Sequence, residues 1–301
     1  MRAKGEPRSR PLEGRVAVVT GAARGVGEAV ARGLAERGAA VALLGHNAPA
    51  LERVAESLPG PAGWWEVDVT EDAAMDRAAA QVRRQLGPVS VVVANAGIAE
   101  GGPFAESDPA TWRRVIEVNL VGSSITARSF LPDLQETRGY YLQIASLAAM
   151  GASPMMSAYC ASKAGAESFA HALQAEVAHQ GIGVGVAYLN WTDTDMIRDV
   201  DRHTVLGELR AHMPAPARKV YPVRTVAARL VRAVERRSPA VYAPVWLRAV
   251  QPVRAVLPPL VTRLSRSELP RISKHATFDA TGLLGAGGHD DTAPGLDGGG
   301  N

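Results

Sequence analysis

The sequence predicts an α/β fold: a doubly wound parallel sheet in a single domain, with a C-terminal extension. Three observations carry this. Short apolar runs alternate with longer helical patterns from residue 16 to about residue 190, with no internal repeat. Aromatics make up only 5% of the chain, so Ala, Val and Leu must build the core, as suits strands buried on both faces beneath small-residue helices. A glycine-rich turn joins the first apolar run to the first helical pattern.

The apolar runs place strands at 16–20, 40–44, 64–67, 89–94, 140–145, 183–188 and 240–243. Helical patterns fall at 25–37, 50–57, 72–85, 109–131, 158–180 and 223–237. Right-handed crossovers between successive parallel strands then put helices on both faces, the Rossmann arrangement. Residues 1–13 read as a flexible arm rich in Arg, Pro and Gly, and 14–245 as the domain, with a substrate lid at about 191–220. Residues 246–275 form an amphipathic extension. Residues 276–301 are a Gly/Asp-rich tail with too few large apolar side chains to offset the entropy of ordering, so disorder is expected there. Within that tail, His289-Asp290-Asp291 reads as a solvated run, and no metal site is assigned.

Composition narrows the function classes. Apolar residues at 47% and charged residues at 21% suit a globular protein with a sizeable core. A formal net charge of +3 gives no electrostatic case for a nucleic-acid partner. Cys160 is the single cysteine, which rules out an intrachain disulfide and fits a reducing cytoplasm. The basic stretch from Met1 to Arg10 has no apolar run after it, so it does not read as a signal peptide. No uncharged apolar stretch reaches the ~18 residues of a membrane span.

The chemistry is read from strand ends. Thr20-Gly21-Ala22-Ala23-Arg24-Gly25-Val26-Gly27 follows the first strand, where an open α/β sheet binds a dinucleotide. Glycine lets the backbone approach a pyrophosphate, and the helix N-terminus offers N–H donors and a positive dipole. The second strand ends Leu43-Leu44-Gly45-His46-Asn47, with Gly45 where NAD-preferring sites place an acid. Arg24 supplies a planar cation suited to a 2′-phosphate, and His46 assists, so NADP(H) is favoured over NAD(H). Asp68-Val69 and Asn95-Ala96-Gly97 lie at two further strand ends, as an acceptor for the adenine amine and as small residues against which a cofactor can lie.

Ser146 follows the strand at 140–145, and Tyr159 opens a helix with Lys163 one turn on, on the same face. A phenol titrates near ~10, and a neighbouring ammonium lowers that value, which equips Tyr159 to exchange a proton with a carbonyl or alcohol oxygen. Ser146 can hold the same oxygen by a hydrogen bond. Asn119 sits inside a helical pattern it disfavours, which marks it for a special role, such as a water held near Lys163.

Together these residues resemble the short-chain dehydrogenase/reductase family in order and spacing, over about residues 14–200. The resemblance implies a Tyr159–Lys163–Ser146–Asn119 tetrad. Tyr159 is then the acid/base, Lys163 binds Tyr159 and the nicotinamide ribose, Ser146 binds the substrate oxygen, and Asn119 stands in a proton relay. It also implies a homodimer or homotetramer through the helices at 109–131 and 158–180. One segment departs from the family. Leu189-Asn190 stands where Pro-Gly is usual, followed by Trp191-Thr192-Asp193-Thr194, which keeps a threonine for the nicotinamide carboxamide and leaves Thr192 beside it.

Met155, Met156, Trp191 and Met196 are expected to line the substrate mouth, and so favour an apolar carbonyl or alcohol: a lipid, steroid, terpenoid or polyketide-like ketone. Three roles stay open for the extension: a packing or subunit contact, a cover over the pocket, and a basic amphipathic surface on a membrane. Two rival functions also stay open. One is a non-redox enzyme on the same fold, such as an epimerase, dehydratase or cyclase. The other is a nucleotide-sensing protein without catalysis.

Overall fold

A computed structural model describes residues 10–292. In chain order the strands are β1 (Val16–Thr20), β2 (Ala40–Gly45), β3 (Ala62–Glu66), β4 (Val89–Ala94), β5 (Ala99–Glu100), β6 (Tyr140–Ser146), β7 (Gly183–Leu189), β8 (Ala240–Ala243) and β9 (Leu283–Leu284). Seven of them form one parallel sheet in the order β3-β2-β1-β4-β6-β7-β8, while β5 and β9 make a separate antiparallel pair. The order reverses between β1 and β4, so their carboxyl ends open a crevice there.

The helices are α1 (Gly25–Ala35), α2 (Ala48–Glu56), α3 (Asp72–Leu86), α4 (Pro109–Ile116), α5 (Gly122–Thr137), α6 (Ser157–Val177), α7 (Asp195–Arg202), α8 (Thr204–Ala211), α9 (Ala215–Arg218), α10 (Val223–Arg236), α11 (Leu247–Val250), α12 (Leu257–Ile272) and α13 (Gly285–Thr292). Side chains alternate across the sheet with period two, so one strand feeds two cores. Val18, Val92, Tyr141 and Val186 pack on one face. Val19, Val93, Leu142 and Ala187 pack on the other.

The structure departs from expectation in four places. The helix expected at 109–131 is α4, a π-helical turn at Glu117–Val121, and α5. The edge strand is Ala62–Glu66 rather than 64–67, with Trp65 alone fully buried in it. The arm expected at 1–13 is docked at its end: Leu12 is buried, and its N–H donates to the Arg37 carbonyl at 3.0 Å, while residues 1–9 lie outside the described residues. The tail expected to be disordered carries β9 and α13, with Leu283 and Leu284 buried; residues 293–301 lie outside the described residues.

The extension is held by charge as well as by apolar contact. Arg254 donates both guanidinium arms to Glu167 of α6, at 2.5 and 2.9 Å, and a further bond to the Ala149 carbonyl at 2.8 Å. Glu167 is buried and also accepts from the Tyr188 hydroxyl at 2.6 Å. Burial pushes this carboxyl up, but Arg254 and Tyr188 outweigh it and hold it below the usual range. This clamp sets α12 beside the open end of the sheet. Among the described residues no helix is long and apolar enough to cross a membrane.

Candidate active site

The carboxyl ends of β1, β4, β6 and β7 open into a cleft of about 700 Å³. Gly21, Arg24, Gly25 and Val26 line one end with His46, Val69, Asn95, Ala96 and Gly97. Ser146, Tyr159 and Lys163 stand at its middle with Trp191, Thr192 and Thr194. Met156 and Met196 line the outer part. Four expected residues do not line it. Gly27, Asp68 and Asn119 stand directly behind it, and Met155 packs against a small cluster with Val200 and Leu206.

The glycine loop is tight because nothing larger fits. A Cβ on Gly27 would lie 2.2 Å from the Gly21 carbonyl oxygen and 2.6 Å from Asn95 Nδ2. Asn95 also braces the loop. Its amide donates to the carbonyls of Thr20 at 2.9 Å and Gly21 at 3.2 Å, and its backbone N–H donates to the Thr20 hydroxyl at 3.0 Å.

Asn119 lies in the π-helical turn and is wholly buried. It pairs with Ile98 as a strand neighbour would: Oδ1 accepts from the Ile98 N–H at 2.8 Å, and Nδ2 donates to the Ile98 carbonyl at 2.9 Å. Nδ2 also donates to the Ser162 hydroxyl at 2.9 Å. A Cβ on Gly97 would meet Asn119 Oδ1 at 3.0 Å and Lys163 Nζ at 3.2 Å, so these two groups converge where glycine leaves the wall open.

Tyr159, partly buried, and Lys163, buried, share one face of α6, with Nζ 5.7 Å from the phenol ring centroid and donating to the Ile144 carbonyl at 3.3 Å. Ser146 lines the cleft with the Tyr159 phenol and favours its ionised form. Burial raises the phenol above its ordinary value, against the pull of Ser146, so the expected lowering by Lys163 is not the net effect. Burial also lowers Lys163, to about 8.

The Leu189-Asn190 departure has a structural reason. Asn190 is buried, and its amide donates to the carbonyls of Ala217 at 3.1 Å and Lys219 at 3.4 Å. It therefore ties the end of β7 to the far side of the lid. Thr194 immediately precedes α7 without a side-chain capping bond, and its methyl lies 3.3 Å from where a Gly25 Cβ would sit.

Several groups at the site escaped the sequence reading. Arg114 of α4 donates to Asp68 at 2.5 Å and to Asp291 at 2.6 Å. Asn47, legible as a helix cap before Ala48-Pro49, accepts from the Ala50 N–H at 3.0 Å and donates to Asp290 at 3.2 Å. Leu257, Leu260, Val261 and Leu264 of α12 close the outer wall, so of the roles weighed for the extension the structure shows it both packing on the core and covering the pocket. His46, Asp68 and Asp291 hold ligand atoms within 4.8 Å of one another, but Arg114 is bonded to both carboxylates, which makes this a charge-balanced cluster. Asp68 is held far below the usual carboxylate range. Burial opposes this, and the bonds from His46, Thr70 and Arg114 prevail.

Comparison with known proteins agrees with this geometry. The family model described as short chain dehydrogenase matches residues 15–204. The chain belongs to the short-chain dehydrogenase family. It is 37% identical over 230 residues to cis-4-hydroxycyclohexanecarboxylate dehydrogenase of Sinomonas cyclohexanicum, covering 73% of this chain and 85% of that one. It is 35% identical over 192 residues to 2,3-dihydro-2,3-dihydroxybenzoate dehydrogenase of Bacillus subtilis (strain 168), covering 62% and 74%. The crystal structure of a metagenomic short-chain oxidoreductase in complex with NADP superposes with a TM-score of 0.64 at 26% identity, covering 77% of this chain and 98% of that one. As a short-chain dehydrogenase/reductase, the protein is an oxidoreductase acting on CH–OH donors with a nicotinamide dinucleotide.

The residues present fit such a cofactor. The Gly27 contact packs the loop to a bare backbone, and Gly97 leaves a flat wall beside Lys163. Arg24 Nη1 is buried without a hydrogen-bond partner among the described residues, which leaves a charged donor free for an anion.

Proposed function

We propose that the protein is an NADP(H)-dependent reductase or dehydrogenase that interconverts a ketone or aldehyde and an alcohol on an apolar substrate. The observation that carries this reading is one continuous cleft with a glycine loop and Arg24 at one end, Ser146–Tyr159–Lys163 at its middle, and a Met/Leu wall at the other. Gly21, Arg24, Gly25 and Val26 would hold the phosphates, and Lys163, Thr192 and Thr194 the nicotinamide riboside. When bound, the nicotinamide supplies or accepts the hydride. Tyr159 gives its phenol proton to the carbonyl oxygen, or takes one from the alcohol, while Ser146 donates to the same oxygen as charge develops. Lys163 holds positive charge beside the phenol, and Asn119 ties the loop at Ile98 to Ser162, the residue before Lys163 on α6.

The substrate class follows from the outer wall. Met156, Met196, Leu206, Leu257, Leu260 and Leu264 are apolar, and Leu260 and Leu264 are half exposed at the rim, where such a molecule enters. Trp191 Nε1 is buried there without a partner among the described residues, which offers one donor to a polar group on an otherwise apolar substrate.

Fluorescence titration tests the cofactor reading: NADPH is expected to bind more tightly than NADH, and Arg24→Ala to remove the difference. Tighter binding of NADH by the wild-type chain refutes the Arg24 assignment. A pH profile tests the Lys163 role. The reduction needs protonated Tyr159, which burial keeps protonated past its ordinary value, and the Lys163 ammonium, which is lost as pH rises through about 8. The kcat/KM for carbonyl reduction should therefore be level near neutrality and fall above pH about 8. A rate that stays level to pH ~10 takes Lys163 out of this role.

A further inference from the structure

The segment Leu283–Thr292 reaches back across the molecule and ends in the cofactor end of the cleft. Its anchorage is specific. Thr281 exchanges hydrogen bonds with Gly101 at 2.8 Å in both directions, β9 pairs with β5, and the Gly285 N–H donates to Asp199 at 2.8 Å. Leu283 and Leu284 are buried, one in the main core and one against Met156 and Leu206. From this anchor α13 delivers two carboxylates. Asp290 accepts from Arg24 Nη2 at 2.5 Å and from Asn47 Nδ2 at 3.2 Å. Asp291 accepts from Arg114 at 2.6 and 2.8 Å and lies 3.7 Å from His46 Nδ1. Both line the cleft beside the glycine loop.

We propose that this segment is an internal competitor for the 2′-phosphate of the cofactor, with Asp290 occupying the guanidinium that the phosphate requires. The inference rests on the assignment of Arg24 to that phosphate. Arg24, Arg114 and His46 already face Asp68, Asp290 and Asp291. A further dianion in the same corner meets like charge at short range, so the segment must undock before a 2′-phosphorylated dinucleotide binds. A dinucleotide with a free 2′-hydroxyl brings no such charge. The competition is reversible because Asp290 engages only Nη2; Nη1 stays without a partner among the described residues, and a phosphate with three oxygens can take both. The segment therefore lowers apparent NADPH affinity by the fraction of molecules in which it is undocked, and so sets cofactor choice.

The test titrates NADPH and NADH by fluorescence into the full chain, the chain ended at Ala280, and the double variant Asp290→Asn/Asp291→Asn, which keeps the Leu283–Leu284 anchor. With a docked-to-undocked ratio of about ten, both altered chains should bind NADPH about 10-fold more tightly and NADH with little change. In the full chain, saturating NADPH should speed hydrogen exchange across 283–292. If the altered chains bind NADPH no more tightly, while NADPH is still preferred over NADH, the competitor is overturned and the cofactor reading stands. If the double variant prefers NADH, the Arg24 assignment fails and the competitor fails with it.

Discussion

Tyr159→Phe is expected to lower turnover by about 10²–10⁴-fold while leaving the fold and cofactor affinity near wild type. The phenol hydroxyl stands at the centre of the cleft with Ser146 and Lys163 and carries a transferable proton. Phe keeps the ring, which packs beside Met156 and Trp191, so a loss of rate reports the hydroxyl rather than the packing. The change should fall on kcat, since the proton moves only in the transition state, and KM should shift little. Steady-state kinetics with a confirmed substrate, beside NADPH titration of the same variant, checks both halves. Full turnover in Tyr159→Phe would remove the proposed acid/base.

Gly27→Ala should act at the other end of the cleft and through the backbone. The new methyl would stand 2.2 Å from the Gly21 carbonyl oxygen and 2.6 Å from Asn95 Nδ2, neither of which is the free end of a flexible chain. Asn95 is held by the Thr20 and Gly21 carbonyls, so the loop can yield only by giving up those bonds. Overpacking of this kind costs about 1–3 kcal/mol of stability. The larger effect should be on binding, because the loop that must approach the phosphates moves outward. Thermal denaturation and NADPH titration together check this, with affinity expected to fall by about tenfold or more if ~1.4 kcal/mol of binding is lost. Wild-type affinity in a folded Gly27→Ala would show that the loop does not hold the cofactor.

The central part of this protein was legible in the sequence for physical reasons that differ by element. Strands β1 and β4 are apolar runs, β4 broken only by Ser90, ended by Thr20-Gly21 and Asn95, so pattern and turn chemistry agreed to the residue. β3 shifted because an edge strand with one buried residue, Trp65, has little periodicity to read. The π-helical turn around Asn119 was invisible to a 3.6-residue pattern, although the misplaced Asn pointed to it. The tail was misread because its order does not come from its own composition. It comes from pairing with the short strand at Ala99–Glu100 and from Arg24 and Arg114, partners about 180 or more residues away that no local window includes. Within the amphipathic extension Arg254 gave no sign of its partner, the buried Glu167, because that residue lies 87 positions away on α6.

The same fold can also support net-neutral chemistry, so the central question is whether the cleft performs a net redox reaction. The decisive measurement incubates the wild-type chain with NADPH and a panel of ketones of rising hydrophobicity, following NADPH by absorbance and products by mass. The expected result is one NADPH oxidised per molecule of alcohol formed, with each product heavier than its ketone by one pair of hydrogens and kcat/KM rising along the panel. Product formed without NADPH loss, or with no change in mass, would contradict it.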